Sequence, residues 1–545
     1  MVIKHMSNKL LRGTLVLTIG TYLSRILGMI YLIPFSAMVG ATGGALFQYG
    51  YNQYTIFLSI ATLGFPTAVS KFVSKYNAIG DYETTRKMFR AGMSVMLVTG
   101  IIAFSILYFT APIFAKIQLG GSNETGGLTV DQVVYVIRMV SLGLLVVPIM
   151  SLVRGFFQGH SMMGPTAVSQ VIEQIVRITF LLTATFIILK VLDGGLVIAV
   201  GYATFAALIG AFGGLFTLYL YWLKRKDRLL AMQPNAGAYS GLSYKQMFTE
   251  LFSYAAPYVF VGLAIPIYSY IDTNTINRAM IASGYQEVST AVLSIVTLYL
   301  PKLVMIPVSL ATAFGLTLIP TITESFTSRH YQLLNRQIDQ TMQVILFFVL
   351  PASIGISALA GPVYWFFYPS VHPEIGISIL FWYAPVALLF SLFTINAAIL
   401  QGINKQKFAI VSLLLGILIK TVLNIPLISW LQGNGSVLAT ALGYSASILY
   451  MFIMIKRHAG YSYRRISKRF ILISILTTIM AVVAFVTSQL VNQLISYEDG
   501  IVQAGIVILI SIFTGGGVYM YLSYKVGLLE RILGNRMPKF LNKKS

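Results

Sequence analysis

The chain has 545 residues, 57% of them hydrophobic and only 10% charged, with a mean hydropathy of +0.79; a soluble domain carries about 25% charged residues, so an ordinary soluble fold is excluded. A formal charge of +22 could suggest nucleic acid, but nucleic-acid binders gather their cations on a folded polar surface, whereas here Lys and Arg fall in short loops between apolar runs. Cysteine is absent and the five His are scattered, which excludes disulfides, thiol catalysis and Cys-ligated metal and leaves no metal-spaced His pair.

A membrane span needs about 20 apolar residues. In chain order, roughly fourteen stretches qualify: 14–37, 52–71, 92–114, 133–157, 165–190, 196–222, 252–273, 289–320, 341–366, 376–401, 408–430, 436–455, 470–491 and 501–524. Residues 1–12 are basic, but the apolar stretch after them is long enough to span and lacks a small-x-small cleavage site, so no cleavable signal peptide is expected. The first span carries Arg25 in "YLSRILGMIY". The fourth carries Arg138 near its outer end, where a long side chain reaches the interface. The fifth carries Glu173 and Arg177, four residues apart and therefore on one helix face, a spacing that allows an ion pair. Asp272 lies near the outer end of the seventh in "YSYIDTNTIN", as a gate, an ion ligand or a solvated helix-end acid. Lys302 follows Pro301 in "LYLPKLVMIPVSLATAFG", where two prolines predict a bent or broken span. Lys420 sits in the eleventh span with no acid at helical spacing.

Placing the N-terminus in the cytoplasm puts about 30 of the 38 Lys and Arg on the inner side and about three (Lys116, Lys190, Arg278) on the outer side. That asymmetry predicts that both termini face the cytoplasm. An internal duplication aligns 149–177 with 396–420, setting Gln158-Gly159 on Gln401-Gly402 and Arg177 on Lys420. A weaker pair aligns the segments around Pro66 and Pro320. Both match span n with span n+6, the pattern of parallel repeats with a substrate site between them. The expected fold is an all-α polytopic membrane protein of about 14 transmembrane helices: two parallel six-helix halves around a central cavity, plus two C-terminal helices. The expected division is 1–228, 229–457 and 458–545, the last holding the two extra helices and a basic cytoplasmic tail.

Arg25, Arg177, Lys302 and Lys420 lie near mid-membrane, and Glu173 is the one carboxylate comparably deep. Each such cation costs roughly 3 kcal/mol on insertion scales, and intramembrane ionisable groups usually serve function. The four cations therefore predict an anion-binding cavity, with Arg25 offering the planar fork that suits phosphate. Glu173 and Asp272 are candidates for tuning or coupling. No P-loop, nucleotide fold or HExxH occurs, so neither a metal nor an organic cofactor is expected, and drive would come from Na+, H+ or the membrane potential.

Five segments carry a family resemblance: "SRILGMIY" (24–31), "FQYGYNQY" (47–54), "GFPTAVSKFVSKY" (64–76), "RGFFQGHSMMGPTAVSQVIEQIVR" (154–177) and "PVSLATAFGLTLIPTITESF" (307–326). With them the whole chain resembles the MurJ-type lipid II flippases, in the Gram-positive branch close to the stage V sporulation protein B group, of the multidrug/oligosaccharidyl-lipid/polysaccharide exporter superfamily. The resemblance implies movement of an undecaprenyl-diphosphate-linked peptidoglycan precursor across a bacterial plasma membrane. It implies diphosphate contact at Arg25 and at Lys302, where the family commonly has Arg, and a groove for the lipid tail on the last two helices. Two family arginines are replaced, by Tyr31 and at about Ser59, and Arg177 and Lys420 are candidates to supply the missing charge. Expected partners are lipid II or a related polyprenyl-diphosphate lipid, membrane lipids and the cell-wall synthesis machinery, with no nucleic acid.

Two other readings make different demands. A flippase for another anionic polyprenyl-linked oligosaccharide, of teichoic acid, capsule or spore polysaccharide, would use the same cations. A glycosyltransferase using polyprenyl diphosphates would need a catalytic carboxylate or His on a sizeable outer loop. The largest outer loop here is about 115–132, and the outer acids are dispersed, so the chain is not expected to be an enzyme. A drug/cation antiporter would want acids in its cavity, the opposite sign.

Overall fold

The computed structural model describes residues 20–529 except 63, 79, 121–123, 126, 161, 231–244, 248 and 250–261. The basic start at 1–12, the basic tail beyond 529 and the first part of the span expected at 252–273 lie outside the described residues. Among these residues eleven helices are long and apolar enough to cross a membrane, or twelve if one bent pair counts as a span. The chain is a multi-pass, almost wholly helical membrane protein.

These eleven correspond to eleven of the sequence-predicted spans, and the difference from fourteen is confined to three places. At 14–71 the structure has α1 (Gly20–Ile30) and α2 (Leu32–Thr62), bent by 45° to each other. α2 is itself interrupted at Gly40, whose φ of 63° and ψ of −161° break the helix in a region open to glycine at little steric cost. The third place is the partly undescribed seventh span, where α10 (Ala264–Ala282) carries a polar run, Asp272 to Asn277.

The chain forms two compact units, 1–294 and 295–545. In the first, α3 (Phe65–Ala78), α4 (Tyr82–Phe109) and α7 (Val147–Gly159) share a core of Phe65, Val69, Phe72, Met88, Leu152 and Phe156. Asp81 caps α4 by accepting from the Thr84 N–H at 3.0 Å. Between α5 (Ala111–Gln118) and α6 (Val130–Ser141), a two-residue hairpin pairs β1 (Glu124–Thr125) with β2 (Leu128–Thr129). Thr129 and Gln132 then close a capping box that starts α6. α8 (Met163–Phe186) and α9 (Leu196–Leu230) complete the bundle with α10 and α11 (Gln286–Ser294).

The second unit begins with a π-helical turn at Ile295–Tyr299, followed by α12 (Leu300–Thr327). Pro301 has no N–H to give, and the irregular turn lies directly before it. The bend expected from the prolines is thus a π turn ahead of Pro301, with Pro307 inside an unbroken helix. α13 (Tyr331–Ala358), α19 (Arg464–Leu494) and α20 (Ile501–Lys525) pack through Leu346, Phe347, Leu476, Met480 and Tyr519. α14 (Ala360–Phe367), α15 (Pro373–Tyr383), α16 (Val386–Gly402), α17 (Gln406–Leu431) and α18 (Gly433–Ala459) fill the rest.

The duplicated segments have matching local structure. Gly159 ends α7 and Gly402 ends α16. Arg177 and Lys420 each lie 14 residues after the first residue of the next helix, at 163 and 406. A Cβ on Gly159 would stand 2.6 Å from Val73 Cβ on α3, and one on Gly402 would stand 2.6 Å from Ile322 Cγ2 on α12. In both copies the glycine-ended helix rests on the proline-started segment of the weaker repeat.

A tight backbone approach between α17 and α18 predicts a structural failure. A Cβ at Gly435 would lie 1.9 Å from the Leu427 carbonyl oxygen and 2.2 Å from its carbon. Backbone cannot rotate away as a side chain can, so Gly435→Ala forces α17 and α18 apart. The expected loss is about 3 kcal/mol or more, read as a fall in the detergent melting temperature and in the amount of protein in membranes. Wild-type melting of Gly435→Ala would show that the close approach is not needed.

Candidate functional site

In the first unit α1 runs along α8. Thr21 Oγ1 donates to Gln170 Oε1 at 3.3 Å, and Gly28 leaves space filled by Gln174, whose Nε2 is 3.1 Å from where a Cβ would be. Arg25 lies between these two contacts and is an exposed residue, so α1 is held on α8 by its neighbours.

Arg177 on α8 has a different setting. Its guanidinium carbon is 5.1 Å from the centroid of the Tyr51 ring, and the group also donates to the Tyr51 hydroxyl. Tyr31 and Tyr54 are close enough to act on it electrostatically. Tyr51 stacks on Phe47 (5.4 Å between centroids, 21° between planes) and leans on Tyr54 at 5.6 Å. A cation against aromatic faces is stabilised by about 2 kcal/mol when desolvated, which offsets part of the cost of holding Arg177 at this depth. Tyr31 stands where the family resemblance expects an arginine, and Arg177 is close enough to act on it electrostatically.

The spacing of Glu173 and Arg177 allows an ion pair, but the structure gives Glu173 to Arg154. Arg154 Nη2 lies 2.8 Å from Glu173 Oε2, with side-chain exposures of 12% and 20%, and Arg154 Nε donates to Ser169 at 2.8 Å. The reason is local. α7 and α8 form an antiparallel hairpin around His160, so Arg154 reaches across to the α8 face that carries Ser169 and Glu173, while Tyr51 takes the guanidinium of Arg177. Sequence reasoning missed Arg154 as the partner and Tyr51 as the platform. The helix-ending "QGH" and the hairpin fold-back it implies were the available signal for Arg154.

Asp272 is buried on α10 within a polar seam along α2. Asn52 Nδ2 donates to Thr273 Oγ1 at 2.9 Å, Gln48 Nε2 to Ser269 Oγ at 3.4 Å, and Asn277 Nδ2 to the Tyr49 hydroxyl at 2.6 Å. Side-chain hydrogen bonds between helices hold membrane bundles together at roughly 0.6 kcal/mol each, so this seam fixes α10 on α2 and Asp272 with it.

In the second unit Lys302 is half-buried on the first turn of α12, just after the π turn. Lys420 is fully buried. Its ammonium donates to the Ser436 carbonyl at 2.9 Å, the Ser436 hydroxyl at 3.3 Å and the Thr440 hydroxyl at 2.7 Å, an all-oxygen cage built by the start of α18. Asn424, one turn further along α17, is buried too. Arg25, Arg177, Glu173 and Asp272 thus belong to the first unit, and Lys302 and Lys420 to the second. Among the described residues no group of three or more His, Asp or Glu could hold a metal ion.

A profile of the polysaccharide biosynthesis protein family matches residues 10–326. The lipid II flippase MurJ of Bacillus subtilis (strain 168) is 71% identical over 540 residues, covering 99% of both chains. Stage V sporulation protein B of the same organism is 24% identical over 412 residues, covering 75% of this chain and 76% of that protein. Among solved structures, a lipid II flippase MurJ in an inward closed conformation superposes with a TM-score of 0.66 at 17% identity, covering 95% of this chain and 99% of that one, a likeness of fold. By the family profile and by full-length identity, the chain belongs to the polysaccharide biosynthesis protein family and, within it, to the MurJ-type lipid II flippases.

Proposed function

We propose that this protein is a flippase that carries lipid II from the inner to the outer leaflet by alternating access. The observation that carries the reading is the 71% identity, end to end, with a Bacillus subtilis protein named lipid II flippase MurJ. The chemistry agrees. The substrate's diphosphate-linked headgroup cannot cross hydrocarbon, its polyprenyl tail need not leave it, and intramembrane cations suit the diphosphate. The protein works as a transporter and not as an enzyme.

In this reading Arg25 and Lys302 touch the diphosphate. Arg177 on its tyrosine platform and Lys420 in its oxygen cage contribute positive potential without giving up their present partners. Glu173 tunes the arginine cluster through Arg154, and Asp272 on the α2–α10 seam serves coupling. The repeats support functional halves at 1–228 and 229–457, with 458–545 as an appendix for the lipid tail. The positive-inside pattern supports a bacterial plasma membrane location with both termini in the cytoplasm, next to the cell-wall synthesis machinery that uses the product.

The test is headgroup exposure of labelled lipid II at the outer surface of cells depleted of their own flippase. Expression of this chain is expected to restore it, and no restoration at matched expression would overturn the reading. With no nucleotide-binding motif in the sequence, the drive we assign is the membrane potential, worth about 2.3 kcal/mol per charge per 100 mV. Collapsing the potential at constant pH is expected to stop turnover while lipid II binding persists. Undiminished turnover would sink potential-driven resetting but leave the flippase assignment standing.

A further inference from the structure

Away from the cation clusters, the first unit has a cavity of about 550 Å³ between α4, α7 and α9. Phe89, Val153, Phe156, Phe212, Phe216 and Trp222 line it. Phe89 and Phe156 meet at 4.3 Å and Phe156 and Trp222 at 6.2 Å, so the inner wall is continuous aromatic surface. Phe212, Phe216 and Tyr219 are each more than half exposed (52%, 61% and 53%), so the cavity opens along the outer face of α9. It offers no polar set of the kind that orients a polar small molecule in a pocket of this size.

Its length and its charge describe the occupant. From Phe212 to Trp222 is ten residues of helix, about 15 Å at 1.5 Å per residue, which is the depth of one leaflet of a hydrocarbon core about 30 Å thick. One end is positive. Arg86 lies three residues before Phe89 on α4, and Arg225 and Lys226 lie three and four after Trp222 on α9, spacings that put them on the same helix faces as the lining rings. Arg225 is half-buried, with its guanidinium 5.7 Å from the Tyr221 ring, and Lys224, Lys226 and Arg90 are exposed. Of the acids at this level, Glu83 pairs with Lys87 at 2.9 Å, Asp81 is buried and caps α4, and Asp227 is exposed beside the basic group; Arg86 Nε also donates to the Tyr82 carbonyl at 3.3 Å. Both helix ends belong to the loops that the charge asymmetry assigns to the cytoplasm.

We propose that this groove is a binding site for one anionic phospholipid of the inner leaflet, with an acyl chain on the aromatic wall and its phosphate at Arg86, Arg225 and Lys226. A polyprenyl chain shares the apolar chemistry but far exceeds one leaflet in length, so the groove's depth selects the phospholipid. The site anchors the first unit to the inner leaflet and makes its stability depend on lipid charge.

Trp222 is a built-in reporter. Replacing Trp365, Trp382 and Trp430 with Phe leaves it alone to fluoresce. The full-length protein is reconstituted in phosphatidylcholine vesicles carrying a minor fraction of brominated phosphatidylglycerol or, separately, the same fraction of brominated phosphatidylcholine. Phosphatidylglycerol is expected to quench with roughly a hundredfold higher apparent affinity, since each of the three basic residues is worth about fivefold near an anionic lipid. The combined Arg86→Gln, Arg225→Gln and Lys226→Gln variant is expected to lose that preference. High salt should shrink it in the unaltered charge background, which keeps the test intact if the triple variant fails to fold. Equal quenching by both lipids, or a preference indifferent to both charge removal and salt, overturns the site. Relief of quenching by unlabelled undecaprenyl phosphate but not by unlabelled phosphatidylglycerol would give the groove to a polyprenyl tail and overturn the phospholipid assignment.

Discussion

Arg25→Ala is expected to cut lipid II translocation by about a hundredfold while the protein accumulates and melts as wild type does. The stability half of this expectation follows from exposure. Arg25 is an exposed residue, and α1 is fixed by Thr21 and Gly28, so truncation should change stability by about 0.5 kcal/mol or less. The activity half follows from the anion. A guanidinium fork on a diphosphate makes charge-assisted, often bidentate hydrogen bonds, and removing one partner of such a contact costs about 2–5 kcal/mol. At 1.4 kcal/mol per tenfold, a loss of about 3 kcal/mol within that range is about two decades. Arg25→Lys keeps the charge but loses the planar fork, so it should fall between wild type and Arg25→Ala. Headgroup exposure in flippase-depleted cells, at matched membrane levels, reads all three. Normal translocation by Arg25→Ala would keep the flippase and refute Arg25 as the contact.

Much of this molecule was legible in the sequence because a membrane enforces simple rules. A run of about 20 apolar residues must be a helix with its backbone satisfied internally, so eleven spans could be read from hydropathy. The rule weakens where polarity or glycine intrudes. Gly40 and the bend after Ile30 blur the first two spans, and α10 carries Asp272, Thr273, Asn274 and Asn277 within one helix, so its membrane character rests on partners that hydropathy does not count. The cations were visible because charge in an apolar run is rare, but their partners were not. The i, i+4 rule favoured Glu173 with Arg177. It accounts only for neighbours on one helix, and α7 delivers Arg154 to Glu173 from another, 19 residues away in sequence. Lys420 has no acid at helical spacing, and its partners include a carbonyl and two hydroxyls on the next helix, which no spacing rule reveals. The Gln-Gly alignment of the repeats, by contrast, is enough to place Arg177 and Lys420 at the same register in their helices.

The pairing of Arg154 with Glu173 makes the second large prediction. Both side chains are mostly buried inside helices long and apolar enough to cross a membrane, so each is the other's compensating charge there. Arg154→Ala strands the carboxylate and removes the donor to the Ser169 hydroxyl, which keeps its own bond to the Thr166 carbonyl. Breaking one side of a buried pair costs about 3–5 kcal/mol, because the remaining charge is left uncompensated. Glu173→Gln should cost less, since an amide still accepts from the guanidinium and brings no stranded anion. Combining Arg154→Met with Glu173→Gln removes both charges and should recover most of the loss, as replacement of a buried pair by uncharged groups of similar volume is often near neutral. Thermal unfolding of wild type, Arg154→Met, Glu173→Gln and the double variant in one detergent gives the cycle, with an expected coupling of about 2 kcal/mol or more. The same set separates two roles for Glu173. If it tunes the arginines through Arg154, translocation should track stability, and the double variant should work nearly as well as wild type. If Glu173 instead takes up a coupling cation, both Glu173→Gln and the double variant should fold normally and fail to turn over, a pattern that the Arg154 pairing alone does not produce.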